Sequence, residues 1–308
     1  MKKHLFSFAK YSFALALIAF VLSRAEVGRI GHFISTLPPF VIVSVLIAFN
    51  VSQWFSAARL RYYYEQAGIP MTQRYALALN YAGMFYNLLL PGGVGGDAYK
   101  VYLLKKSSAF PVLQGIRIQL SNRANGLLAM LLFMTLCSCI VFTSVSWGIK
   151  VLLSLLFAIA TFAIYRFCAA RFLKEKPNVT WGAFRYSLGV QAMALLAAAF
   201  LLFAMHAGHH VMDYLLLFLV AAILGLLPFT VGGLGIREAT FFYGAAYLSQ
   251  FSSMPVDPEL GVSLSLCYFA VTAFSSLPGI YCTRWLSQRG NQQEEKNPLL
   301  PLSPLLRT

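Results

Sequence analysis

The stretch Pro91-Gly92-Gly93-Val94-Gly95-Gly96-Asp97-Ala98-Tyr99-Lys100 decides how the chain folds. A proline opens it, four of its first six residues are glycine, and a carboxylate follows them. It comes directly after Tyr75–Leu90, an apolar run that would otherwise read as a membrane helix. Glycine-rich backbone cannot stand in hydrocarbon with its amides unpaired, because each orphan costs several kcal/mol. It is tolerated only where protein buries it or where it lines a wet cavity. A second stretch, Pro228-Phe229-Thr230-Val231-Gly232-Gly233-Leu234-Gly235-Ile236-Arg237-Glu238, has the same build. Two apolar segments broken at corresponding places point to a transporter-type site set in an inverted repeat.

The flanking sequence supplies the membrane. Of 308 residues, 59% are hydrophobic and 11% charged, against about 25% charged in soluble domains. The apolar runs are continuous, where barrel strands would alternate, so the spans are helices. Full spans are expected at Tyr11–Leu22, Phe40–Ala58, Gly126–Val145, Val151–Phe167, Tyr186–Met205 and Glu259–Cys282. The first follows Met1-Lys2-Lys3-His4 and resembles a signal peptide, but Ser23-Arg24-Ala25-Glu26 lacks the small-x-small cleavage pattern. Tyr75–Leu90 and Met212–Leu227 lead into the two loops; Ala98–Phe110 and Ile236–Ser249 leave them. The expected fold is all-α integral membrane, with about six full transmembrane helices plus two glycine-broken segments, re-entrant or short and paired. Residues 1–286 form one membrane domain, and the polar, proline-rich stretch 287–308 reads as a disordered cytoplasmic tail.

The net charge of +14 would suggest nucleic acid in a soluble protein. Here the basic residues lie between apolar runs, so they set topology and meet anionic head groups, and no nucleic-acid partner is expected. With the N-terminus inside and both glycine segments re-entrant, twenty of the 24 Lys and Arg fall inside and three outside, with Arg237 in the membrane. That asymmetry places both termini in the cytoplasm. The first hairpin then enters from the cytoplasm and the second from outside, which an inverted repeat requires. A full crossing by Met212–Leu227 and back by Ile236–Ser249 fits the charges equally well.

The glycines of the first loop, Gly92, Gly93, Gly95 and Gly96, match a dinucleotide pattern only on paper, since no βαβ unit surrounds them. As a nest of converging amides beside a helix N-terminus they suit a phosphate, and a membrane's abundant phosphate is a lipid head group. Gly232, Gly233 and Gly235 offer the same in the second loop, with Arg237 as a cation for the phosphate. Asp97 stands at an N-cap position and Glu238 in a first helical turn, so both have bland structural roles. As ionisable groups at membrane depth they are also functional candidates, suited to a neighbouring cation or to an amine on the lipid. Arg123, at the start of a span, could reach Asp97. The two loops are expected to share one polar cavity near mid-membrane. Five cysteines in or beside apolar runs give no disulfide framework, and His206, His209 and His210 with Asp213 read as a loop. No nucleophile–base pair is apparent, so the protein is not expected to be an enzyme, and no metal or cofactor is expected.

At these residues the chain resembles the transmembrane domain of lysylphosphatidylglycerol synthases, which also occurs as stand-alone flippase-like proteins. The shared pattern is a Pro-Gly-Gly-x-Gly-Gly-Asp loop before a basic helix, here Pro91–Lys100, and a Pro-x-x-x-Gly-Gly-Leu-Gly-x-Arg-Glu loop, here Pro228–Glu238. The resemblance covers about residues 10 to 285. An acidic residue often precedes the arginine at one span's start; here Asn122 precedes Arg123. In bifunctional relatives a soluble aminoacyl-transferase domain makes the lipid and the membrane domain is thought to flip it. This chain ends in a short tail, so that half is not expected. The resemblance implies a multi-pass protein of a bacterial-type inner membrane that translocates a phosphate-bearing lipid. Its partners would be anionic or aminoacylated phospholipid or polyprenyl phosphate, with a homo-oligomer and an envelope-lipid synthase both open. The alternatives are an intramembrane enzyme acting on polyprenyl-phosphate sugars or phospholipids, and a non-transporting partner of an envelope-lipid synthase.

Overall fold

The computed structural model describes residues 27–89, 95–107, 111–141, 146–226, 233, 235–250 and 255–296. The expected first span, Tyr11–Leu22, lies outside the described residues, and so do Gly92, Gly93 and Gly232. Every regular element among the described residues is helical. The α-helices are α1 (Val27–Ser35), α2 (Pro39–Gln66), α3 (Gln73–Leu89), α4 (Gly95–Ser107), α5 (Val112–Val141) and α6 (Trp147–Cys168). They continue as α7 (Pro177–Ala204), α8 (Val211–Leu224), α9 (Ile236–Leu248), α10 (Pro258–Ser276) and α11 (Gly279–Lys296).

Among the described residues five stretches are long and apolar enough to cross a bilayer: Pro39–Gln66, Val112–Val141, Trp147–Leu173, Pro177–Ala204 and Pro258–Gln288. They coincide with the five expected spans that fall on described residues. The main difference is length. Helix α5 starts at Val112, well before Gly126, and takes in a polar run read in sequence as lying ahead of the span. Those polar groups have partners on neighbouring helices, so they do not stop the helix. Gln119 Nε2 donates to Tyr64 at 3.0 Å, Asn122 accepts from Arg59 Nε at 2.8 Å, and Asn125 donates to Tyr165 at 3.2 Å. Helix α11 likewise runs through 287–296, where a disordered tail was expected to begin. The sequence Gln292-Gln293-Glu294-Glu295-Lys296 is made of good helix formers.

Helices α2 and α7 pack along each other at the centre, and α5 lies against both. Helix α6 rests on α5 and turns most of its surface outward, with Trp147 at 68% and Ile159 at 65% exposure. Such a face is stable only in hydrocarbon. The two glycine-broken segments form hairpins of short helices, α3 on α4 and α8 on α9. Helices α8 and α9 have 14 and 13 residues, about 20 Å each, less than the roughly 30 Å hydrocarbon core.

Candidate functional site

The first hairpin closes at a glycine crossing. A Cβ on Gly96 would lie 2.0 Å from the carbonyl oxygen of Gly83, so α3 and α4 touch backbone to backbone there. The Gly96 N–H donates to Asn87 Oδ1 at 2.8 Å, which caps α4 from the neighbouring helix. Helix α4 begins at Gly95, so Asp97 falls in its first turn rather than at the N-cap. Freed from capping, Asp97 turns into the bundle and is only 7% exposed. Its Oδ1 accepts from Lys100 Nζ at 3.3 Å, and its Oδ2 accepts from Arg123 Nε. The expected reach of Arg123 to Asp97 is made.

Lys100 is the member of this cluster that sequence reading missed. It reads as one of three lysines on a surface helix, yet it is 5% exposed. The signal was the i, i+3 spacing from Asp97, which puts the two on one helical face. Gly83 makes room for it, since a Cβ there would meet Lys100 Cε at 2.2 Å. A buried carboxylate between two cations satisfies the rule that buried charges are paired.

The second hairpin is built differently. Gly233 and Gly235 both have φ of +84°, which side-chain-bearing residues rarely adopt, and they swing the chain into α9. Glu238 is 2% exposed. Its Oε2 accepts the Gly235 N–H at 2.6 Å and its Oε1 accepts from Ser265 at 2.8 Å, so it caps α9 and fastens it to α10. Among the described residues no ion pair joins Glu238 to Arg237. The Arg237 guanidinium instead lies over the rings of Phe218 at 5.8 Å and Tyr268 at 5.5 Å, and its buried Nε has no hydrogen-bond partner. Cation–π contact offsets part of the desolvation and leaves planar N–H donors for an anion.

Beyond Arg237, the same helix borders a cavity of about 1010 Å³ between α5, α6, α8 and α9. Leu153, Phe157, Leu217 and Tyr243 are among its walls, and Thr240, Ser138 and Ser154 supply a few hydroxyls. The sequence led us to expect one polar cavity shared by both loops. This cavity is mainly apolar and borders the second hairpin, while Asp97, Lys100 and Arg123 pack among α3, α4 and α5.

A third polar cluster was not anticipated. Arg59, 6% exposed, donates to Asn122 Oδ1 and, from Nη1, to Ser187 Oγ at 2.7 Å. Asn122, standing where an acid was expected before Arg123, thus holds a cation through a neutral amide. Nearby, in the connection between α6 and α7, Glu175 accepts from Thr180 at 2.8 Å and from Tyr63 at 3.4 Å. Burial pushes its carboxyl above the ordinary range. These contacts tie α2, α5 and α7 together at one end.

The family model described as lysylphosphatidylglycerol synthase TM region matches residues 7–279. A comparison with curated proteins gives no match.

Proposed function

The chain belongs to the lysylphosphatidylglycerol synthase TM-region family, and from that premise we propose that it moves a phosphate-bearing lipid between the leaflets of a bacterial-type inner membrane. The observation that carries this reading is Arg237. It sits in the first turn of α9 with its Nε buried and unbonded, where the helix dipole favours an anion. Residues three to ten positions on, Thr240, Gly244 and Tyr247, follow it on one face and line the apolar cavity. A head group at Arg237 would therefore have space for its chains along the same helix. Among the described residues no carboxylate is hydrogen-bonded to the guanidinium, since both oxygens of Glu238 are engaged by Gly235 and Ser265.

The test is a proteoliposome assay that scores head-group accessibility across a panel of lipids. Arg237→Lys keeps the charge but loses the planar fork. The expected loss is about tenfold or more in transport, from the roughly 1.5–3 kcal/mol of a hydrogen bond to a charged group, at normal protein levels. Full transport by the lysine variant, or no transport of any phosphate-bearing lipid by the wild type, overturns the reading. The same proposal keeps both termini cytoplasmic. A cysteine placed in 174–178 is then shielded from an impermeant thiol reagent in intact cells; labelling from outside reverses the orientation.

A further inference from the structure

The large cavity is open on one side. Helix α5 packs along α6 and α8, and α8 packs along α9, but among the described residues no extensive contact joins α6 to α8 or α9. The cavity is therefore a trough between α6 and α9, with α5 and α8 as its floor. Leu153 and Leu156 on one bank, and Tyr243 and Tyr247 on the other, line it and are nevertheless exposed. The floor residues Leu216 and Leu217 are buried. Hydroxyls in the lining spend their hydrogens within the protein. Thr135 donates to Leu131 O, Ser138 to Thr135 O and Thr240 to Ile236 O, while Ser154 pairs with Cys139. Water needs two to four polar partners to settle in a cavity, so an apolar trough open to the bilayer fills with hydrocarbon chains.

The trough occupies one leaflet. Its α9 wall begins at Thr240, one turn after Arg237, and ends at Leu248, about 12 Å further along the helix axis. Helices α6 and α7 are both long enough to cross, so the chain leaves one surface at the start of α6 and returns to it at the end of α7. The open end of the α8–α9 hairpin follows directly and lies on that same side. Arg237 is at the deep end of the trough, and the start of α6 is at the surface end. There Lys150 stands on the helical face that carries Leu153, Ser154 and Phe157 down into the lining. Its Nζ lies 5.6 Å from the centre of the Trp147 ring and donates to Cys139 O at 3.4 Å. A lysine beside the last carbonyls of a helix is a common stop, but an ammonium has three donors and this bond uses one. Among the described residues no carboxylate pairs with it.

We propose that the trough is a lateral binding site for an anionic phospholipid from the leaflet on the Trp147 side. The acyl chains lie between α6 and α9, and the phosphate meets Lys150. A lipid held this way keeps its ordinary orientation, with its head at the surface and its chains toward mid-membrane. The site is thus separate from Arg237 at the deep end. Charge selects the class of lipid: an anionic head neutralises Lys150, whereas a zwitterionic head brings a second cation close to it. The site rests on the cavity and on Lys150, and it stands whether or not the lipid is transported.

The test uses the full chain in phosphatidylcholine vesicles, with Trp54, Trp147, Trp181 and Trp285 replaced by phenylalanine, which keeps an aromatic ring at 147. One tryptophan is then returned at a time: Phe157→Trp on one bank, Tyr243→Trp on the other, and Ile159→Trp on the outward face of α6. Phosphatidylglycerol brominated on its chains is added as a minor lipid. It is expected to quench both bank reporters about fivefold more effectively than equally brominated phosphatidylcholine, the preference that one interfacial lysine supplies. At Ile159→Trp the two lipids should quench equally. Lys150→Gln, on the exposed rim, is expected to remove the preference at both banks. Equal quenching by the two lipids at both banks overturns the anionic assignment, and a preference that survives Lys150→Gln overturns the role of Lys150. Bank reporters shielded from either lipid, as a helix of a second copy seated in the trough would leave them, overturn the lipid site. The readout involves no transport, so failure of the flipping assay and failure of this site are told apart.

Discussion

In the α3–α4 hairpin the Asp97 carboxylate sits between Lys100 and Arg123. In the α8–α9 hairpin Glu238 turns to a backbone amide and a serine, and Arg237 is left over two aromatic rings. Both hairpins come from one sequence device, a glycine-rich break followed by an acid in the first helical turn. They differ in what the acid does. In the first, Asn87 caps the helix and frees the acid to bind cations; in the second, the acid is itself the cap and the cation is free. The first hairpin is therefore an ion-paired clamp, one carboxylate held between two cations. The second leaves the Arg237 Nε buried without a hydrogen-bond partner, and it is the hairpin that borders the large cavity.

The sharpest way to break this contrast is to remove the acid from the clamp. Asp97→Ala leaves Lys100 buried without its carboxylate, and stability is expected to fall by about 3–5 kcal/mol. Thermal unfolding in detergent measures it, and adding Lys100→Met should restore part of the loss. An unchanged melting temperature for Asp97→Ala would mean that the pair does not hold the hairpin. A smaller effect is expected from Gly96→Ala. Its Cβ would meet backbone at 2.0 Å, so α3 and α4 must separate, at about 1–3 kcal/mol for overpacking. Gly83→Ala should cost less, because its Cβ meets the movable end of Lys100. The reverse order would place the tight contact elsewhere. The smallest stability change belongs to Arg237→Met, within about 1 kcal/mol, since it replaces a desolvated charge by an apolar side chain of similar length. Transport should nonetheless be lost. A large drop in stability with transport retained would make Arg237 structural and erase the distinction between the hairpins.

The spans were legible because long apolar runs have one stable solution in a bilayer. Their ends were less so. Val112–Asn125 reads as a polar approach to a span, yet it is helix, since Gln119, Asn122 and Asn125 find partners on α2 and α6. Ion pairing of Arg123 with Asp97 was within reach of sequence reading, because both lie next to the membrane entry. Lys100 was not singled out, because an inward-turned lysine looks like an outward one until the neighbouring helix shows a glycine opposite it. The hydrogen bonds that join Asn50, Gln53, Asn80, Tyr81 and Ser275 across α2, α3 and α10 drew no notice at all. Isolated amides in apolar runs signify little until three helices bring them together.

By itself the sequence determined that this chain is a helical membrane protein with two broken segments, and that Asp97, Arg237 and Glu238 stand beside the breaks. Hydrophobicity and glycine content are local properties, and the bilayer translates them into spans and interruptions without reference to distant residues. Only the tertiary structure decided which charges neutralise one another and which stay free. Pairing depends on ångström-scale approach between helices far apart in sequence. Here it turned on Asn87 capping one helix and Glu238 capping the other.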